Sequence, residues 1–94
     1  MKTTVRIPTP LRKITDDLSE IECEVETVGA AIDYLEQKYP GIKERLCDEN
    51  GEPRRFINIY VGEEDIRFLD GLNTKIEADQ EISIIPAIAG GSGL

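Results

Sequence analysis

Ninety-four residues with 11 Lys+Arg against 19 Asp+Glu carry a formal charge of −8, and histidine is absent. The missing histidine excludes a Ser–His or Cys–His catalytic pair and any His-ligated metal, while the acidic balance argues against nucleic acid, whose phosphates must be neutralised by Lys and Arg. Ile, Val, Leu and Phe make up 26 of the 94 residues, above the level of disordered chains, so the composition predicts one packed domain without a deep catalytic cleft.

Thr3–Ile7 reads as a strand with Val5 and Ile7 on one face, stopped by Pro8 and Pro10. A turn-rich connection over Leu11–Asp17 leads to a strict alternation of Glu20, Glu22, Glu24 and Glu26 against Ile21, Cys23 and Val25. That pattern predicts a half-buried strand with one acidic face. Two readings of the face stand side by side: an edge kept from aggregating by its charges, and a docking face for a basic partner.

Thr27 is placed to cap a helix of about three turns, in which Val28, Ala31, Ile32 and Leu35 form one apolar stripe. Pro40-Gly41 ends it, Ile42 and Leu46 suggest a further short helical turn, and Asp48–Pro53 reads as a turn, its acidic residues lacking the spacing of a calcium loop. Arg54 and Arg55 fall on what reads as a solvated turn. Phe56–Val61 is the clearest strand, Ile57, Ile59 and Val61 facing one way and Phe56, Asn58 and Tyr60 the other. After a turn at Gly62–Asp65, a weaker strand is expected around Ile66–Phe68, then a turn or single helical turn at Asp70–Thr74 and a tight turn at Ala78–Gln80. Glu81–Pro86 is the last strand, with Ile82 and Ile84 opposite Ser83 and Ile85.

Cys23 lies on an apolar face and reads as a buried free thiol, whereas Cys47 follows a helix end and is expected to be partly exposed. Neither zinc nor a redox pair is indicated. Met1–Arg6 has no apolar run of the secretory kind and no stretch approaches membrane-spanning length, so a cytoplasmic location away from membranes is expected. A single helix stripe needs a sheet face to cover it. The pattern therefore predicts an α+β domain over residues 1–86, a mixed sheet of four to five strands on one main helix with the first and last strands parallel at its centre: the ubiquitin-like β-grasp.

Residues 87–94 read as a flexible tail, Ala87-Ile88-Ala89-Gly90-Gly91-Ser92-Gly93-Leu94. Glycines without Cβ atoms can lie extended in a narrow enzyme channel that side chains would block. From Pro86 to Gly91 the chain can reach ~17 Å, so a terminal glycine could enter another protein's active site while the domain stays outside. Because a carboxylate is unreactive, a partner must activate it, with ATP as the natural reagent. Ile85, Pro86 and Ile88, apolar and next to this end, and Phe68 on the same side, are the candidate partner-binding residues.

Val5-Arg6-Ile7-Pro8, Pro10-Leu11-Arg12, Phe56–Val61, Asp65-Ile66-Arg67-Phe68 and Ile85–Gly91 together resemble the MoaD/ThiS family of sulfur carriers over nearly the whole chain, and within it the carriers that serve cysteine synthesis. The resemblance implies a protein cosubstrate rather than an enzyme. An E1-like enzyme would adenylate the carboxylate of Gly91, with Ala89 and Gly90 in its channel, and a thiocarboxylate would follow. The acceptor would be a pyridoxal-phosphate (PLP) cysteine synthase or the large subunit of molybdopterin synthase. Neither ATP nor PLP would be held by this chain. Ser92-Gly93-Leu94 departs from the family pattern, and a JAMM-type metalloprotease is the partner expected to process the tail. A ubiquitin-like protein modifier and a non-covalent interaction module are the competing functions.

Overall fold

A computed structural model of the protein describes residues 2–77 and 79–86. Five strands form one sheet: β1 (Thr3–Arg6), β2 (Glu20–Cys23), β3 (Ile57–Val61), β4 (Glu64–Asp65) and β5 (Glu81–Pro86), in the spatial order β2-β1-β5-β3-β4. β1 and β5 run parallel at the centre, with Val5 opposite Ile82, and all other neighbours are antiparallel. Alternation explains the assignment. Val5, Ile21, Cys23, Ile57, Ile59, Val61, Ile82 and Ile84 are all buried on one side, and the residues between them face out.

The buried side is covered by α1 (Val28–Lys38), whose stripe of Val28, Ala31, Ile32 and Leu35 is at most 3% exposed. Each fully buried branched side chain of this kind contributes about 1.5–3 kcal/mol. Thr27 caps the helix as its sequence predicts, its hydroxyl accepting from Ala30 N at 3.1 Å. At the other end Gly41 adopts φ +104°, a left-handed turn that favours glycine. It leads into α2 (Ile42–Leu46), whose Ile42 and Leu46 complete the core. The Glu36 carboxylate accepts the Gly41 and Lys43 N–H groups at 3.2 and 2.9 Å, so an α1 side chain caps α2. The segment before β5 is tied across the start of α1: Val28 N donates to Thr74 O and Ile76 N to Glu26 O. Helix on a mixed five-strand sheet in this order is the β-grasp.

Four expectations are corrected. The short strand is Glu64–Asp65, and Ile66–Phe68 is a 3₁₀ turn. Gly62 at φ +63° makes a two-residue hairpin that pairs Val61 with Glu64, so pairing begins earlier than the apolar residues suggest, and the Asp65 carboxylate then accepts Arg67 N and starts the turn. Cys47 is 3% exposed, because a bridge between Cys47 and Pro53 folds the Asp48–Glu52 turn back over the helix end. The acidic alternation outlasts its strand, which ends at Cys23. Arg54 is half-buried, its Nε donating to Glu44 O at 2.8 Å, while Arg55 is exposed.

Candidate functional site

The sheet face away from α1 is built by the outward residues of every strand. Across β2, β1 and β5, the Arg6 guanidinium bonds Glu81 at 2.8 Å and reaches Glu20 at 3.1 Å. The hydrogen bond to Glu81, aided by its charge and that of Glu20, raises the Arg6 pKa; the same bond holds Glu81 below the usual carboxylate range. β2 is an edge strand, paired with β1 alone, and its glutamates stand on the solvent side. The charged edge therefore has a structural explanation.

Toward the end of β5 the same face turns apolar. Ile85 is 46% exposed opposite Asn58, and Pro86 pairs with Ile57 at the last rung of the ladder. Strand alternation leaves Ile85 outside: Ile82 and Ile84 take the core side, so an aliphatic residue at 85 has no place inside. An exposed isoleucine beside the point where the chain leaves the sheet has the chemistry of a docking residue.

Phe68 is 86% exposed and Leu69 41%. They protrude from the 3₁₀ turn after β4 into an open depression shared with Gly62, Glu63 and Glu64. Phe68 and Phe56 line different surface hollows. Phe56 precedes β3 and lines a groove with Pro8, Pro10, Leu11 and Pro86, whereas Phe68 belongs to the other depression. Of the predicted partner-binding residues, Ile85 and Pro86 adjoin one another on β5, and Phe68 lies in the 3₁₀ turn after β4. Ile88, Ala89, Gly90 and Gly91 lie outside the described residues.

Arg67 is the residue whose role sequence reasoning missed. An ion pair joins its Nη1 to Asp65 Oδ2 at 3.9 Å. The shorter bonds go elsewhere: Nη1 to Asn58 Oδ1 at 2.6 Å, and Nη2 to Ile57 O at 2.7 Å and Arg54 O at 3.1 Å. The guanidinium thereby pins the 3₁₀ turn to the start of β3, beside the Ile85 rung. A pairing signal between positions 58 and 67 could have found these bonds; charge alone leads only to the Asp65 pair.

Cys23 and Cys47 are free and buried, and burial pushes both thiols up from their usual pKa. Neither is poised as a nucleophile, which requires the thiolate. Among the described residues no three His, Cys, Asp or Glu side chains are grouped to hold a metal ion, and no helix is long and apolar enough to cross a membrane. A mixed five-strand sheet on a helix, with an exposed isoleucine one residue before the end of its last strand, places the protein in the ubiquitin-like β-grasp class.

Comparison with known proteins agrees. The sequence model of the ThiS family matches residues 5–91, and the chain belongs to that family. It is 46% identical over 93 residues to the sulfur carrier protein CysO of Mycobacterium tuberculosis, covering 97% of this chain and all of the relative. The crystal structure of that CysO superposes with a TM-score of 0.85 at 45% identity, over 90% of this chain and 98% of the other. CysO in the BexX/CysO complex of Amycolatopsis orientalis gives a TM-score of 0.87 at 43% identity, over 95% and 99% of the two chains. Small archaeal modifier protein 3 of Haloferax volcanii is 34% identical over 69% of this chain and 70% of its own length. The protein is thus a homologue of the CysO sulfur carriers.

Proposed function

We propose that the protein carries sulfur as a thiocarboxylate on Gly91 for cysteine synthesis. The near full-length identity to a CysO sulfur carrier is the observation that carries this reading. The family match ends at Gly91, which supports Gly91 as the working terminus and Ser92-Gly93-Leu94 as a segment that a JAMM-type metalloprotease removes. The freed carboxylate attacks the α-phosphate of ATP on an E1-like enzyme, releasing pyrophosphate; a sulfur donor then displaces AMP. The thiocarboxylate sulfur attacks an electrophile held by a PLP-dependent cysteine synthase, leaving cysteine joined to Gly91. Hydrolysis of that bond by the JAMM-type metalloprotease releases cysteine and restores the Gly91 carboxylate. ATP and PLP are bound by these partners. The chain's own contribution is recognition at Ile85 and Pro86 and delivery of a terminus free of side chains.

A relative described as an archaeal modifier favours one second reading, in which Gly91 is joined to lysines of other proteins after the same activation. Transfer to the large subunit of molybdopterin synthase differs only in the acceptor. Reconstitution separates these. The chain ending at Gly91 should support ATP–pyrophosphate exchange with the adenylating enzyme of its own cells, and Gly91→Ala should abolish it. Sulfur should then appear in cysteine. Protein adducts without cysteine formation would favour the modifier, and absence of exchange would defeat both.

A further inference from the structure

The end of the sheet where β5 finishes carries an apolar groove of about 330 Å³ lined by Pro8, Pro10, Leu11, Phe56 and Pro86. Phe56 is 38% exposed there, a large ring half open to water. Three prolines and the buried Leu11 make the walls stiff, so the groove costs little ordering to fill.

Its charge is opposite to that of the molecule. Arg45 lines the groove, and with Arg54 and Glu44 it also lines the depression on the other side of Phe56. In a chain of net charge −8, cations are expected to be paired. Arg6 is paired, with Glu20 and Glu81, and Arg67 lies near Asp65. Arg12, Arg45, Arg54 and Arg55 form no ion pair among the described residues. Arg12 and Arg54 are held instead by backbone oxygens, Nε donating to Ile7 O at 3.1 Å and to Glu44 O at 2.8 Å. Each is anchored by one nitrogen, leaving guanidinium donors for an incoming carboxylate.

We propose that this groove docks an acidic segment of a partner protein, an apolar side chain of the segment entering between Phe56 and the prolines while its carboxylates meet Arg45 and Arg54. The occupant follows from charge complementarity: apolar walls beside arginines that form no ion pair among the described residues select an acidic, apolar-anchored peptide. Pro86, a wall of the groove, is also the last residue of β5. On the carrier reading, the docked protein is therefore one that handles the tail. The proposal rests on that reading for the partner's identity, but not for the binding chemistry.

Binding can be read without any transfer step, which keeps its failure separate from failure of the carrier reading. The ¹⁵N-labelled protein is titrated with the acetylated peptide Glu-Asp-Leu-Phe-Glu-Asp, with its charge-swapped form Lys-Arg-Leu-Phe-Lys-Arg, and with oligothymidylate. The acidic peptide should give saturable shifts at Leu11, Arg45, Phe56 and Ile57 by millimolar concentration. The charge-swapped peptide, and the variants Arg45→Glu and Phe56→Ser, should bind at least ~tenfold more weakly. Arg45 is exposed and makes no ion pair among the described residues, and a dispersed spectrum of its variant establishes folding. No saturable shift with the acidic peptide, equal binding of the basic one, or binding indifferent to both substitutions would overturn the proposal. Oligothymidylate matching the acidic peptide would do the same, making the site a general polyanion surface.

Discussion

Arg67 donates to Asn58 Oδ1 at 2.6 Å and, through its other terminal nitrogen, to the carbonyl of Ile57 at 2.7 Å. One guanidinium so fastens the 3₁₀ turn after β4 to the first two residues of β3, the strand that pairs with Ile85 and Pro86. Hydrogen bonds to a charged group contribute about 1.5–3 kcal/mol when shielded; with 41% of this side chain exposed the lower end applies. Arg67→Ala should therefore destabilise the domain by about 1–2 kcal/mol in urea unfolding, with an unchanged denaturant slope. Phe68→Ser, one residue on but 86% exposed, should change stability by less than about 0.5 kcal/mol.

The start of α1 gives a paired prediction. Thr27→Ala removes the cap on Ala30 N and should cost about 1 kcal/mol. Gly29→Ala would ordinarily gain about 1 kcal/mol in a helix. Here the added Cβ would meet Leu72 O at 3.1 Å, tighter than backbone can readily yield. That variant should show no gain in thermal midpoint, and a clear rise would contradict the packing of the Gly71–Asn73 turn on the helix.

How the strands could be read in advance, and where reading failed, has a common cause. Alternation in Phe56–Val61 and Glu81–Pro86 and the stripe from Val28 to Leu35 report burial, which one sheet and one helix impose directly on sequence. Glu64–Asp65 carries no such mark. It is a strand because Gly62 permits a tight hairpin, and its pairing partner, not its own composition, defines it. Cys47 is covered by a turn closed through the Cys47–Pro53 bridge, a pairing that alternation of residue types does not show. At the candidate site, Ile85 was legible as the one aliphatic residue on the wrong side of its strand. The groove was not, because it joins Pro8 and Pro10 to Phe56, segments far apart in the chain.

The Arg6–Glu81 pair makes stability depend on pH in one direction. The hydrogen bond from Arg6 lowers the Glu81 pKa from 4.5 in the folded state. A depressed carboxyl contributes stability above its unfolded pKa and loses it as pH falls through the folded value. Wild type should therefore lose this contribution below about pH 4.5, and Glu81→Gln, which lacks it throughout, should show a flatter urea midpoint across the same window. Because the pair is exposed, the difference should shrink at high salt. A variant curve parallel to wild type would show the pair to be without effect.

Ile85 separates fold from recognition. Its side chain is outside the core, so Ile85→Asp should leave the unfolding free energy within about 1 kcal/mol. If the surface beside Pro86 is where partners dock, the same change should raise the KM of the adenylating enzyme for the carrier by at least ~tenfold with kcat little altered. An unchanged KM would move recognition away from this part of the sheet.

The central claim concerns the chemical state of the chain's end, and the intact mass of the protein from its own cells under sulfur demand tests it most directly. The account predicts loss of Ser92-Gly93-Leu94 and replacement of one oxygen by sulfur on Gly91, with a cysteine adduct on the same residue in part of the population. A chain still ending in Leu94 as an ordinary carboxylate under those conditions would contradict it.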